Sequence, residues 1–176
     1  LDILLQAPLP LIQSGFADLL GKTTANADWI LRNKLLDENV CERTWDIVKN
    51  ALYSLENYAE EIGSLKPEAI HILTVALLNS GFSMVMSGDS RPASGSEHLV
   101  AHYLENISLH RGLYPSLHGL RVGVATNVIK AMYDRFLKNI EHFDWEKVKY
   151  NQNKSGVIEK LENSFGSLFP FIKEEA

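Results

Sequence analysis

The residues of this chain best placed to do chemistry together are histidines, and two of them stand where a shared ligand is geometrically easy. In the stretch Arg91-Pro92-Ala93-Ser94-Gly95-Ser96-Glu97-His98-Leu99-Val100-Ala101-His102, Pro92 and Gly95 interrupt an apolar run. Ser94 followed three residues on by Glu97 has the pattern of a capping box, in which each side chain satisfies one orphan amide at a helix start. The spacing predicts a helix with Ser94 as N-cap, running to about Ser108. His98 then lies in the first turn and His102 one turn further along the same face. A third histidine, His118, stands beside Gly119 at the mouth of a later apolar helix. The positive end of a helix dipole disfavours an imidazolium there, so the neutral ring, which is the metal-binding form, is expected.

One carboxylate invites the same attention. Asp18 sits in Gly15-Phe16-Ala17-Asp18-Leu19-Leu20-Gly21-Lys22 among apolar neighbours, and a carboxylate buried alone is costly, so it needs a partner. The alternative is a solvent-facing Asp18 paired with Lys22 at i+4. Arg91 could grip a phosphate through its guanidinium, or could anchor its own loop. His71 is assigned no role, and His110 and His142 read as surface residues.

Other chemistries are excluded by pattern. A HExxH zinc protease needs Glu directly after the first His, whereas Leu99 follows His98. The single cysteine, Cys41, rules out paired-cysteine zinc sites and an intramolecular disulfide, and it fits a reducing, cytoplasmic setting. There is no GxGxxG and no Walker sequence. A net charge of -5 with 17 Lys plus Arg spread thinly argues against nucleic acid as partner. No unbroken run of about 18 apolar residues and no basic leader appear, so no membrane partner is expected.

The elements that must position these residues follow from hydrophobic period. With 176 residues and 45% hydrophobic content the chain is one domain's worth, 1–176, able to bury roughly 70% of its unfolded surface. Leu1 to Leu5 reads as the end of a strand, followed by a turn at Pro8 and Pro10. Asp18 falls on a helix, and Thr24 to Leu36 reads as a second, short one. Between Cys41 and Ile62, Trp45, Val48, Leu52, Leu55, Ala59 and Ile62 recur at steps of three and four, the stripe of one amphipathic helix. Pro67 to about Met86 is apolar on all sides and is expected to be the central, surrounded helix. A long helix follows His118 through Ile140. The tail reads as a short helix around Trp145 to Val148, a polar link at Asn151 to Lys154, and a helix from Val157 to Phe165. Apart from the first residues no alternating pattern is present, so the class is all-α.

Three segments, GFADLLGK, SRPASGSEHLVAHYLE and LHGLRVGVAT, taken together and in this order, resemble the C-terminal half of the sn-glycerol-1-phosphate dehydrogenases, particularly the bacterial AraM-like branch. These belong to the iron-containing alcohol dehydrogenase and dehydroquinate synthase-like superfamily. The resemblance covers Asp2 to about Ile140. It implies the all-helical C-terminal domain of that fold, with the Rossmann-like cofactor domain and its glycine loop absent from this chain. It further implies that Asp18, His98 and His118 are metal ligands, and that Asp18 and His102 contact substrate. Beyond the metal site it implies no separate catalytic residue here.

The implied ligand set is chemically coherent. One carboxylate and two imidazoles suit Zn²⁺, with Ni²⁺ or Fe²⁺ also fitting, and leave coordination positions open as catalytic sites do. Such an ion polarises a ketone as a Lewis acid. The implied reaction of the intact protein is reduction of dihydroxyacetone phosphate, a phosphorylated triose, to sn-glycerol 1-phosphate by NAD(H) or NADP(H) bound mainly by the other half. This chain alone is expected to be inactive. A sibling polyol dehydrogenase and a non-enzymatic helical metal-binding or interaction module are the alternatives. Helix stripes normally covered by the other half would favour a homo-oligomer.

Overall fold

The structure, a computed structural model, describes residues 1–142 and 154–170. Eight α-helices are found there: α1 (Asp2–Leu5), α2 (Leu9–Leu36), α3 (Glu42–Leu55), α4 (Ala59–Gly63), α5 (Pro67–Ser87), α6 (Ser96–His110), α7 (His118–Asn139) and α8 (Lys154–Phe165), with short 3₁₀ turns at Ile140–His142 and Gly166–Leu168. No strand occurs among the described residues, so the all-α class holds. The helix predicted around Trp145 to Val148 and the link at Asn151 to Asn153 lie outside the described residues.

The strand-like start is corrected. Leu1 to Leu5 has no neighbouring strand to pair with, and its backbone closes on itself instead, Leu5 N–H donating to Leu1 C=O at 3.0 Å. The turn at Pro8 and Pro10 is also corrected. Pro8 is the N-cap of α2 and Pro10 lies in its first turn, where a missing N–H costs nothing because that amide has no partner in any helix. The two helices predicted over Leu11 to Leu36 are therefore one, 28 residues long. Thr23 and Thr24 do not break it: the Thr23 hydroxyl donates back to the Leu20 carbonyl at 2.7 Å, and the Thr24 hydroxyl lies 2.9 Å from the Gly21 carbonyl. It stops at Asp37, which turns left-handed with φ 55°, while Asn33 Nδ2 and Trp29 Nε1 donate to the Glu38 and Asn39 carbonyls beyond it.

This α2, not α5, is the central helix. It packs against α3, α4 and α5 along one side and against α6 and α7 along the other. Ile12 and Leu19 join Ala51 and Leu55 of α3, Ile62 of α4, and Ala69, Ile70, Leu73 and Ala76 of α5 in one apolar core. The predicted helix over Cys41 to Ile62 is broken at Glu56 to Tyr58 into α3 and α4. The apolar period hides the break because Leu55 and Ile62, on either side, are both buried in the same core. α5 is not surrounded: Val75, Leu78, Phe82, Val85 and Met86 are exposed. By length and composition α5 could cross a membrane, but its Ala69, Ile70, Leu73 and Ala76 face is packed in this core, chiefly against α3.

Candidate metal centre

The opposite side of α2 carries a different kind of residue. Asp18, Lys22 and Ala25 recur at four and three residues and so share a face, with Gly21 beside them, and this face meets α6 and α7. Contact there brings glycines against backbone or short side chains of the facing helix. A Cβ at Gly119 would sit 1.9 Å from the Ser14 carbonyl oxygen, one at Gly123 would lie 2.8 Å from Ala17 Cβ, and one at Gly21 would lie 2.7 Å from Val122 Cγ1. Only glycine permits so close a crossing. The consequence is that the first residue of α7, His118, is set down beside Asp18.

The start of α6 is fixed differently from the predicted box. Ser94 is not the cap; the helix begins at Ser96 with Gly95 as N-cap and no side-chain cap from that residue. Instead Asp28 of α2 reaches across and its Oδ2 accepts the Ser96 N–H at 2.6 Å, while its Oδ1 accepts the Tyr133 hydroxyl from α7. Glu97 does accept the Gly95 N–H, at 2.8 Å, which is half of the reciprocal arrangement. An anion from another helix thus does the work expected of a local serine. The register shifts by one residue, and His98 remains in the first turn.

Three side chains from three helices converge. His98 Nε2 is 3.4 Å and His118 Nε2 is 3.7 Å from the same Asp18 Oδ1, and one ligand atom from each of the three lies within 4.8 Å of the others. Atoms about 2.1 Å from one tetrahedral ion stand about 3.4 Å apart, so the two separations from Asp18 Oδ1 are close to those around a common cation, and the O/N₂ set is one that Zn²⁺, Ni²⁺ or Fe²⁺ accepts. His102, one turn after His98, is exposed and supplies no atom to this cluster. Its ring centroid lies 5.5 Å from that of His118 and 6.0 Å from that of His98, so it borders the same opening.

The pairing with Lys22 is present, but on a half-buried Asp18 rather than a solvent-facing one, and the carboxylate's two oxygens take different partners. Oδ1 faces the imidazoles and Oδ2 accepts from Lys22 Nζ at 2.8 Å, with Lys22 itself 2% exposed. Burial pushes the Asp18 pKa up, but the His98 hydrogen bond and the Lys22 charge outweigh it and hold it at about 2. Burial pulls His98 down, but hydrogen bonds to Asp18 and Glu97 raise it above the ordinary histidine value. For His118, burial and then the neighbouring His98 charge lower it, the direction predicted from its place at a helix start.

Sequence reasoning missed the supporting residues. Glu97 is 0% exposed and accepts from the Thr24 hydroxyl at 2.7 Å as well as facing His98 Nδ1 at 2.8 Å. The adjacent Glu-His pair was the available signal, but the capping-box pattern absorbed it; Thr24, 73 residues away, has none. Arg121, buried within α7, pairs with Glu105 of α6 at 2.8 Å and donates to the Ser116 carbonyl, holding the loop that delivers His118. Arg91 is a loop anchor, its Nε donating to Glu38 Oε1 at 2.7 Å.

No family model matches the chain. It is 42% identical over 147 residues to a protein of Halalkalibacterium halodurans named glycerol-1-phosphate dehydrogenase, NAD(P)+, which covers 83% of this chain and 37% of that protein. It is 33% identical over 172 residues to one of the same name from Geobacillus thermodenitrificans, covering 91% and 43%. With that of Korarchaeum cryptofilum it shares 35% over 145 residues, covering 82% and 44%. The chain spans about two fifths of the length of these curated relatives.

Proposed function

Because the chain belongs to the glycerol-1-phosphate dehydrogenase family, we propose that it is the metal- and substrate-binding part of an NAD(P)-dependent enzyme reducing dihydroxyacetone phosphate to sn-glycerol 1-phosphate. The observation that carries this reading is the convergence of Asp18, His98 and His118 from three helices on one point. Those three residues would hold a divalent cation, Zn²⁺, Ni²⁺ or Fe²⁺. The ion supplies Lewis acidity toward a ketone carbonyl.

The chain's own residues do the rest of the holding. Lys22 takes one oxygen of Asp18 and leaves the other directed at the site, so a single anionic ligand faces the cation. With two neutral imidazoles the centre keeps net positive charge, which favours a phosphorylated and therefore anionic substrate. Asp18 and His102 are the proposed substrate contacts, His102 being exposed on the rim where a small polar molecule can reach it. The nicotinamide cofactor is bound mainly by a part of the protein outside these residues, so the 176-residue chain alone oxidises no NAD(P)H with dihydroxyacetone phosphate.

The test is cation binding. Zn²⁺ or Ni²⁺ titrated into the purified chain binds once per chain, and His98→Ala or His118→Ala weakens it at least about 100-fold, since either leaves two protein ligands. Equal binding by all three proteins removes the site. Steady NAD(P)H oxidation by the chain alone would remove the division of labour.

A further inference from the structure

We propose that Glu97 is a positioning residue for the cation centre, fixing which nitrogen of His98 faces it; the inference rests on Asp18, His98 and His118 being the ligand set. The argument starts from cost. A carboxylate with no solvent exposure, in the first turn of a helix and away from the apolar core, is expensive to desolvate unless every lone pair it turns inward is used. Glu97 uses them: Oε1 accepts the Gly95 N–H at 2.8 Å and faces His98 Nδ1 at 2.8 Å, and Oε2 takes the Thr24 hydroxyl at 2.7 Å.

The bond to His98 does something the other two do not. An ionised carboxylate can only accept, so Nδ1 carries a proton, and the lone pair available to a cation is confined to Nε2. That is the nitrogen lying 3.4 Å from Asp18 Oδ1. Thr24 and Gly95 hold the carboxylate from outside the site, so the ring is clamped in plane as well as in tautomer. A carboxylate behind a ligating imidazole also raises the basicity of its far nitrogen, and loss of such a partner typically weakens metal binding 10- to 100-fold.

A merely structural role and a positioning role separate in one substitution. Glu97→Gln keeps the shape: the amide oxygen still accepts from Gly95 and His98. The amide nitrogen can donate to Thr24, whose hydroxyl proton turns to the Gly21 carbonyl already 2.9 Å away. Only the charge is lost. The experiment titrates Zn²⁺ alone into wild type, Glu97→Gln, Glu97→Ala and His118→Ala, with a melting curve for each. The expected result is a roughly tenfold weaker Zn²⁺ affinity for Glu97→Gln with a melting temperature near wild type. Glu97→Ala, which loses the acceptor too, is expected to weaken binding by about 100-fold. Wild-type affinity in a folded Glu97→Ala protein overturns the proposal while leaving the ligand set standing. Wild type binding no better than His118→Ala overturns the ligand set, and this inference with it.

Discussion

The two sides of α2 are built by different physics. Toward α3, α4 and α5 it buries Ile12 and Leu19 in a core of nine buried apolar residues, where adhesion is proportional to apolar area and tolerant of detail. Toward α6 and α7 the buried apolar cluster among the described residues is Ala101, Val122 and Ala125. There the interior is Lys22, Thr24, Glu97, His98 and Arg121, and the helices approach until glycines touch backbone. One side holds the fold together, and the other holds atoms at set distances. A site that must place ligand atoms 3.4 and 3.7 Å from a shared oxygen needs the second kind of interface, since hydrogen bonds and backbone contact have directions and apolar adhesion does not.

The sharpest way to break this contrast is at the crossing of α2 and α7. Gly119→Ala puts a methyl group where the Ser14 carbonyl oxygen is, and neither partner is a flexible side chain, so the helices must part. The cost is at the upper end of overpacking, about 3 kcal/mol or more, with cation binding lost even where the chain still folds. Thermal melts and a Zn²⁺ titration read the two effects separately. An unchanged melting temperature would mean that the crossing is looser than the distances state.

The counterpart on the other side is Leu73→Ala. Leu73 is 2% exposed in the apolar core, and its truncation removes transfer free energy and leaves a cavity, for about 3 kcal/mol. Here the Zn²⁺ affinity of the folded fraction stays at the wild-type value, because α5 carries none of the three ligands. Coupled loss of stability and affinity would show that the two sides are one cooperative structure rather than a scaffold and a site.

The same contrast explains what could be read from the sequence. The apolar side announces itself through hydrophobic period, so the all-α class and most helices were legible. The errors there are of extent, as at Pro8 and Pro10, whose places at the cap and in the first turn look like a break, or at α5, whose all-round apolarity does not say what covers it. The polar side leaves fainter marks. His98 and His102 share a face by spacing alone, and His118 at a helix mouth is visible locally. That Asp18 meets residues 80 and 100 positions away is a tertiary fact, reached only through a family resemblance. Asp28 capping α6 from α2 defeats any local motif, and Gly21, Gly119 and Gly123 look like ordinary glycines until the facing helix is seen.

The smallest predicted effect concerns acid. Asp18 has a folded pKa of about 2 against an ordinary 3.8, so the folded state binds its proton more weakly. Its contribution, about 2 kcal/mol at most by linkage, is complete above pH 4 and fades as pH falls toward 2. Glu97 is also lowered, burial being outweighed by its hydrogen bonds from His98, Thr24 and Gly95, and acts in the same direction. His98 is raised, so its contribution is complete below about pH 6.5 and is lost as pH rises through its folded pKa. His118 is lowered by burial and then by the His98 charge and so works against His98 over that range, which leaves the fall from pH 4 toward 2 as the expected loss of stability in the chelator-treated chain. None of these groups belongs to the apolar core, so between pH 4 and 2 protection against hydrogen exchange, relative to the intrinsic rate at each pH, should fall first in α6 and the start of α7 while α3 and α5 stay protected. Uniform loss of protection across all five long helices would show that the polar side is as much a part of the scaffold as Leu73.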